Sequence, residues 1–159
     1  FMLKTNGYIT NPKTYFCDAA LKALPGKYTG GDTSAILYPN SPWPYHYITY
    51  GYNHYYAGGD FSQVPFKGST PAKVGMFKYP ASKIWLADAR GSASELAGTA
   101  YMVPSVSTIA ASKIIFDVHN SAANILWLDG HVSTEKDAFE RFNHNKGGVR
   151  FDRTSVPIP

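Results

Sequence analysis

The sequence predicts an α+β domain built on a small antiparallel β-sheet, with short helices and long loops. Runs dense in aromatic and β-branched or aliphatic residues at 45–52, 83–88 and 124–133 have the length and composition of strands. An Asp129-Gly130 pair interrupts the last run, a short-range hairpin signal. Stretches at 25–44 and 91–112, rich in Gly, Ser and other small or polar residues, separate the runs and carry no periodic pattern, so they read as long surface connections.

The chain has 159 residues, which fits a single domain spanning 1–159. Folding at this size buries about 70% of the unfolded surface, enough for a core without disulfides or metal. Charged residues make up only 16% of the chain, against about 25% in an average domain. Its 12 Tyr, 9 Phe and 3 Trp therefore serve both a loop-rich core and an amphipathic surface. Lys and Arg exceed Asp and Glu by 15 − 11 = 4. The basic residues are scattered (Lys22, Lys27, Lys67, Lys73, Lys78, Lys83, Lys113, Lys146) and form no stripe, so no nucleic-acid partner is expected. Cys17 is the sole cysteine, which rules out an intramolecular disulfide; beside Phe16 it reads as a small buried apolar residue. No apolar stretch approaches the length of a membrane span. The opening Phe1-Met2-Leu3-Lys4 runs straight into a folded-looking pattern, as expected of a chain trimmed at its N-terminus.

Taken in order, Asn11-Pro12 caps and starts a short helix, since Pro suits the first helical position and Asn accepts orphan N–H groups. Pro25-Gly26 ends that segment. Residues 45–52 form the first strand, with Tyr45, Tyr47 and Thr49 on one face and His46, Ile48 and Tyr50 on the other. Residues 83–88 form the second, and Lys113-Ile114-Ile115-Phe116 adds a short one. Asn124-Ile125-Leu126-Trp127-Leu128 and His131-Val132-Ser133 flank Asp129-Gly130, a two-residue turn expected to hold both central residues at positive φ. Thr134 is expected to cap a helix, with Asp137 in the acidic capping position and Ala138, Phe139 and Phe142 on its apolar face. Residues 149–159 read as a tail with one edge strand.

From His119 the chain runs nine residues to Asp129-Gly130. This segment resembles the H-x9-DG motif of a large bacterial family of prepilin-type proteins. Further pieces are similar to that family in the same order: Gly7-Tyr8-Ile9 with Asn11-Pro12 and Phe16-Cys17, then Tyr50-Gly51-Tyr52-Asn53, then Pro80-Ala81-Ser82-Lys83 with Leu86-Ala87-Asp88. Together they cover most of residues 7–133. Two positions depart from the pattern: Asp18 stands where many relatives have Pro after the cysteine, and Val118 where many have Arg before the histidine. The resemblance implies the pilin-like head of a type II secretion pseudopilin or type IV pilin. It also implies a leader, a prepilin peptidase site and a long apolar helix ahead of this head. The implied partners are other pilin-like subunits and secretion-system components, with the membrane contacted through that helix. The implied location is extracytoplasmic, in the periplasm or at the cell surface, anchored in the inner membrane. No enzymatic activity is expected.

For the motif residues His119, Asp129 and Gly130 the expected role is structural: Asp129-Gly130 shapes a corner, and His119 hydrogen-bonds a carbonyl or carboxylate across the sheet. A zinc alternative would gather His119, Asp129 and His131 with Asp88 or Asp117, but nine extended residues place His119 far from the corner. Calcium is the one cofactor the resemblance admits, since major pseudopilins often bind it in a C-terminal loop; here Asp32 and Asp60 stand alone in glycine-rich stretches. No catalytic residue is assigned. Asp117, His119 and Ser121 only superficially suggest a triad, and no Gly-x-Ser-x-Gly elbow occurs. The alternative function is a carbohydrate- or protein-binding module presenting Trp43, Tyr45, Tyr47, Tyr55 and Tyr56 as a stacking surface.

Overall fold

The computed structural model describes residues 11–23, 48–53, 73–91, 98–99, 101–102 and 114–142. Its strands are β1 (Tyr50–Asn53), β2 (Ile84–Arg90), β3 (Tyr101–Met102), β4 (Ile114–Ile115), β5 (Ala122–Trp127) and β6 (Val132–Lys136). Its helices are α1 (Asp18–Ala23) and α2 (Ala138–Phe142). The antiparallel centre runs β1-β2-β5-β6, with β3 parallel to β1 at one edge and β4 paired to the end of β2. The α+β class and the small antiparallel sheet are thus present.

Period-2 alternation sorts the side chains onto two faces. On one, Ala87 and Ala89 of β2 lie beside Ala123 and Ile125 of β5, with Met102 and Ile115 completing a buried layer. Trp127 extends this face, and Phe142 of α2 meets its ring edge-on at 5.9 Å. Burial of this apolar stripe, at about 25 cal/mol per Å², holds so short a helix on the sheet. The opposite face carries Tyr50, Tyr52, Leu86, Asp88, Asn124 and Leu126, in register across the strands. A bulge between Ile84 and Leu86 turns Trp85 outward, and the buried Asn53 side-chain amide donates to the Ile84 carbonyl at 3.0 Å.

Asn11 caps as expected, accepting the Lys13 N–H at 3.0 Å, but what it starts is a 3-10 turn at Pro12–Tyr15, with α1 following separately. The first strand begins at Tyr50; residues 45–47 lie outside the described residues, as do 149–159. Within 91–112, read as loop, Tyr101–Met102 pairs with β1 and Gly98 bridges Arg90.

Two expectations around the hairpin are corrected. The Gly130 N–H donates to the Trp127 carbonyl and the Trp127 N–H to the His131 carbonyl, both at 3.0 Å, which closes a three-residue loop rather than a two-residue one. Gly130 has φ +96°, whereas Asp129 is not at positive φ. This is a type I turn followed by a glycine bulge, in which one left-handed residue suffices to match the strand twist. Thr134 does not cap a helix. It sits inside β6 opposite Asn124, and its hydroxyl donates to Asn124 Oδ1 at 2.8 Å. Five successive cross-strand pairs carry β6 through Lys136, which displaces the local capping alternative.

Gly51 faces the small-residue layer. A Cβ there would lie 2.7 Å from Ala89 Cβ, 2.9 Å from Met102 Cγ and 3.2 Å from the Thr99 carbonyl oxygen. Gly51→Ala is therefore expected to destabilise the domain by about 1–3 kcal/mol, the usual range for overpacking. Urea denaturation checks this; an unchanged midpoint would mean that β1 and β2 lie further apart than described.

Candidate functional site

The site begins with a carboxylate inside the otherwise apolar run from Ile84 to Ala89. Asp88 lies near the end of β2, where β4 stops and the 116–121 connection interrupts pairing before β5 resumes. The Phe116 N–H donates to the Asp88 carbonyl at 2.9 Å. Asp88 Oδ2 accepts the Asn124 N–H at 2.8 Å. The side chain is fully buried, and its Oδ1 has no hydrogen-bond partner among the described residues. Burial pushes this carboxyl above the ordinary range, against the opposing pull of the Asn124 N–H and of His119.

His119 reaches Asp88 because of the turn it precedes. Asn120 and Ser121 have φ +54° and +59°, and His119 and Ala122 exchange backbone hydrogen bonds at 2.9 and 3.1 Å. These are the marks of a two-residue turn with both central residues left-handed, the geometry expected at Asp129-Gly130 but found nine residues earlier. It fixes the backbone beneath the imidazole, whose Nε2 lies 3.3 Å from Asp88 Oδ2.

The third member is Cys17, 102 residues from His119 in the chain, with Sγ at 3.4 Å from the same Nε2. The cysteine is buried, as the sequence suggested, yet it packs against polar groups. Its N–H donates to Thr49 Oγ1 at 2.6 Å, and the Thr49 N–H donates to the Tyr15 carbonyl at 3.2 Å, which ties the 11–23 segment to the approach to β1. Tyr50 stands opposite Asp88 in register, and its hydroxyl is pushed up to about 12 by burial first, then by Cys17, Asp88 and Asp18.

The motif residues occupy opposite ends of the hairpin. Between His119 and Asp129 lie the turn residues Asn120 and Ser121, the six residues of β5, and Leu128, which account for the nine (2 + 6 + 1). That strand alone spans about 20 Å. The zinc alternative that joined His119 to Asp129 and His131 is therefore not assembled. Asp129 instead bonds its own corner: Oδ1 accepts the His131 N–H at 3.1 Å and its Nδ1–H at 2.6 Å, while the His131 ring stacks on Trp127 at 5.6 Å. Asp117 is engaged elsewhere, accepting the Phe139 N–H with both oxygens at 3.0 Å and so capping α2. Ser121 is exposed in the turn, and the His119 nitrogen with resolved partners faces Asp88 and Cys17. The suggested Asp117–His119–Ser121 triad is not formed. Trp43, Tyr45, Tyr47, Tyr55 and Tyr56 lie outside the described residues.

Two of the three converging residues, His119 and Asp88, already stood together in the zinc alternative read from the sequence, whereas Cys17 was read as plain packing. The available signal was Asp88 itself. A carboxylate inside the run Ile84-Trp85-Leu86-Ala87-Asp88-Ala89 must find partners once the strand is buried.

Removing the α2 cap with Asp117→Ala is expected to lower stability by about 1 kcal/mol, and Asp117→Asn, which keeps one acceptor, by less. Chemical denaturation of the two variants checks that order. At the hairpin corner, slight desolvation raises the Asp129 carboxyl, but the His131 hydrogen bonds and charge outweigh it and the group titrates below the usual range. A depressed folded-state value stabilises the fold above the unfolded value near 3.9, an advantage lost as pH falls through the folded value. Asp129→Ala should therefore lower the melting temperature at neutral pH, and its deficit against the parent chain should shrink at acid pH. A deficit constant between neutral and acid pH would show that the carboxylate charge contributes nothing.

No known protein family, no curated protein and no solved structure matches this chain.

Proposed function

We propose that this chain is the head of a non-enzymatic pilin-like or pseudopilin-like subunit, a component of a type II secretion or type IV pilus-like assembly. The observation that carries the reading is the division of labour within the H-x9-DG segment. Its histidine pins one end of β5 and its Asp-Gly shapes the other, so the spacing is the length of a strand with its turns. That is a requirement of architecture. The ring nitrogen near Asp88 is also the one near Cys17, whereas a relay from carboxylate through imidazole to a nucleophile uses both ring nitrogens, and this supports the non-enzymatic reading.

The arrangement also suits a head carried on an N-terminal helix. Residues 11–23 are joined to the sheet through Tyr15, Cys17 and Thr49, which would make the junction between helix and head stiff. In this reading the preceding helix sits in the inner membrane and bundles with those of neighbouring subunits. The head faces the periplasm or cell surface and meets other subunits and secretion components there.

The test uses the intact gene product, expressed with and without a prepilin peptidase. The expected outcome is loss of a short basic leader only when the peptidase is present, with the product retained in the membrane by roughly twenty apolar residues. A soluble product released by ordinary signal peptidase would overturn the reading and favour an exported binding module.

A further inference from the structure

We propose that Cys17, Asp88 and His119 form a binding site for a thiophilic divalent cation of the zinc class. The three donor atoms Sγ, Oδ2 and Nε2 all lie within 4.8 Å of one another, the only such group of three among the described residues. The site goes beyond the subunit reading and stands on side-chain geometry whether or not that reading holds.

The distances separate this assignment from two simpler ones. A charge-assisted hydrogen bond between imidazole and carboxylate closes to about 2.7–2.9 Å, whereas here the gap is 3.3 Å. With zinc bond lengths of about 2.3 Å to sulfur and about 2.0–2.2 Å to nitrogen and oxygen, a tetrahedron has edges of about 3.4 Å from nitrogen to oxygen and about 3.6 Å from nitrogen to sulfur. The observed edges are 3.3 and 3.4 Å. A thiol–imidazole–carboxylate nucleophile would need the thiol and the carboxylate on different ring nitrogens; here both face Nε2, leaving it no free role as a relay.

The surroundings suit a cation as well. Asp88 is fully buried and its Oδ1 has no hydrogen-bond partner among the described residues, which leaves negative charge that a bound cation would offset. The Asn124 N–H on Oδ2 orients the carboxylate in the way outer-shell hydrogen bonds orient metal ligands. A donor set of sulfur, nitrogen and a single carboxylate selects zinc-like ions over calcium, which takes several oxygens. His119 is 32% exposed, so an ion can reach the site, and a water would complete four-coordination. The ligands come from the 11–23 segment, β2 and the turn before β5, so the cation would staple the N-terminal segment to the sheet.

Cobalt(II) titration of the reduced, metal-free chain tests this directly. Because Cys17 is the only cysteine, a thiolate-to-cobalt charge-transfer band can arise only here. The expected result is that band with intense tetrahedral ligand-field absorption, saturating at one cobalt per chain and abolished by one equivalent of zinc. Zinc should raise the melting temperature and slow iodoacetamide alkylation of Cys17. Cys17→Ser and His119→Ala should each weaken zinc binding at least about tenfold by calorimetry, the lower bound known even for outer-shell changes. Absence of the charge-transfer band, saturation at one metal per two chains, or zinc affinity unchanged in both variants would overturn the proposal. The parent-chain spectrum decides even if a variant fails to fold. Prepilin processing is measured on a different part of the protein, so either result can fail without the other.

Discussion

A carboxyl group with no exposure sits where four pieces of chain meet, and the geometry of this half of the molecule follows from satisfying it. Asp88 belongs to the central strand β2, between β1 on one side and β4 and β5 on the other. Taking an ionised carboxylate out of water costs several kcal/mol unless hydrogen bonds and opposite charge compensate. The compensation comes from the Asn124 N–H and from His119, and neither is in position until β5 has paired with β2 and the preceding turn has closed. The polar cluster therefore depends on sheet assembly, and the sheet register depends in turn on placing Asp88 opposite these groups. A shift of β5 by one residue would turn Asn124 away and leave the acid without its donor.

The two faces of the sheet are built on different principles. One is packed from small residues against large ones: Gly51, Ala87, Ala89 and Ala123 leave room for Met102, Ile115, Ile125 and Trp127. Dense packing tolerates little change in volume, which is why glycine is forced at residue 51 although it weakens strands in general. The other face is half-buried, and hydrogen bonds rather than volume order its margin: the Cys17 N–H donates to Thr49 Oγ1 and the Thr49 N–H to the Tyr15 carbonyl, which sets Cys17 beside the His119 ring. Such bonds fix geometry and contribute modestly to stability, about 0.5–1.5 kcal/mol each. The apolar face thus supplies cohesion while the polar face sets where the N-terminal segment lies.

What could be read in the sequence tracks how local each signal is. The Asn11-Pro12 start, the strands at β2 and β5 and the Asp-Gly corner rest on neighbours a few residues apart, and all were legible. The turn type was not, because composition alone does not distinguish a two-residue loop from a three-residue loop with a glycine bulge; closing the Trp127–His131 pair decides it. Thr134 followed the same logic. A Thr with an acid three residues on is a fair capping signal, but it lost to five cross-strand pairs and to a cap supplied by Asp117 from 22 residues away. Hardest to see was Cys17 beside His119, since nothing in either neighbourhood points across 102 residues. Only the topology brings them together.

The motif spacing shows how a strand converts sequence distance into chemistry. His119 and Asp129 bracket a six-residue strand, and an even strand length places the residues at its two ends on opposite faces. The buried layer takes Ala123, Ile125 and Trp127, so Trp127 can carry the stacked His131 and the edge of Phe142 on the apolar side. At the other end of the strand, His119 joins Asp88 and Cys17 on the polar side, the side of Asn124. One residue more or fewer within β5 would turn one end over relative to the other, moving either the tryptophan toward the buried carboxylate or the histidine toward the alanine layer. The nine residues between His119 and Asp129 therefore fit a sheet with one apolar and one polar face. No contact between the two motif residues is needed to explain it.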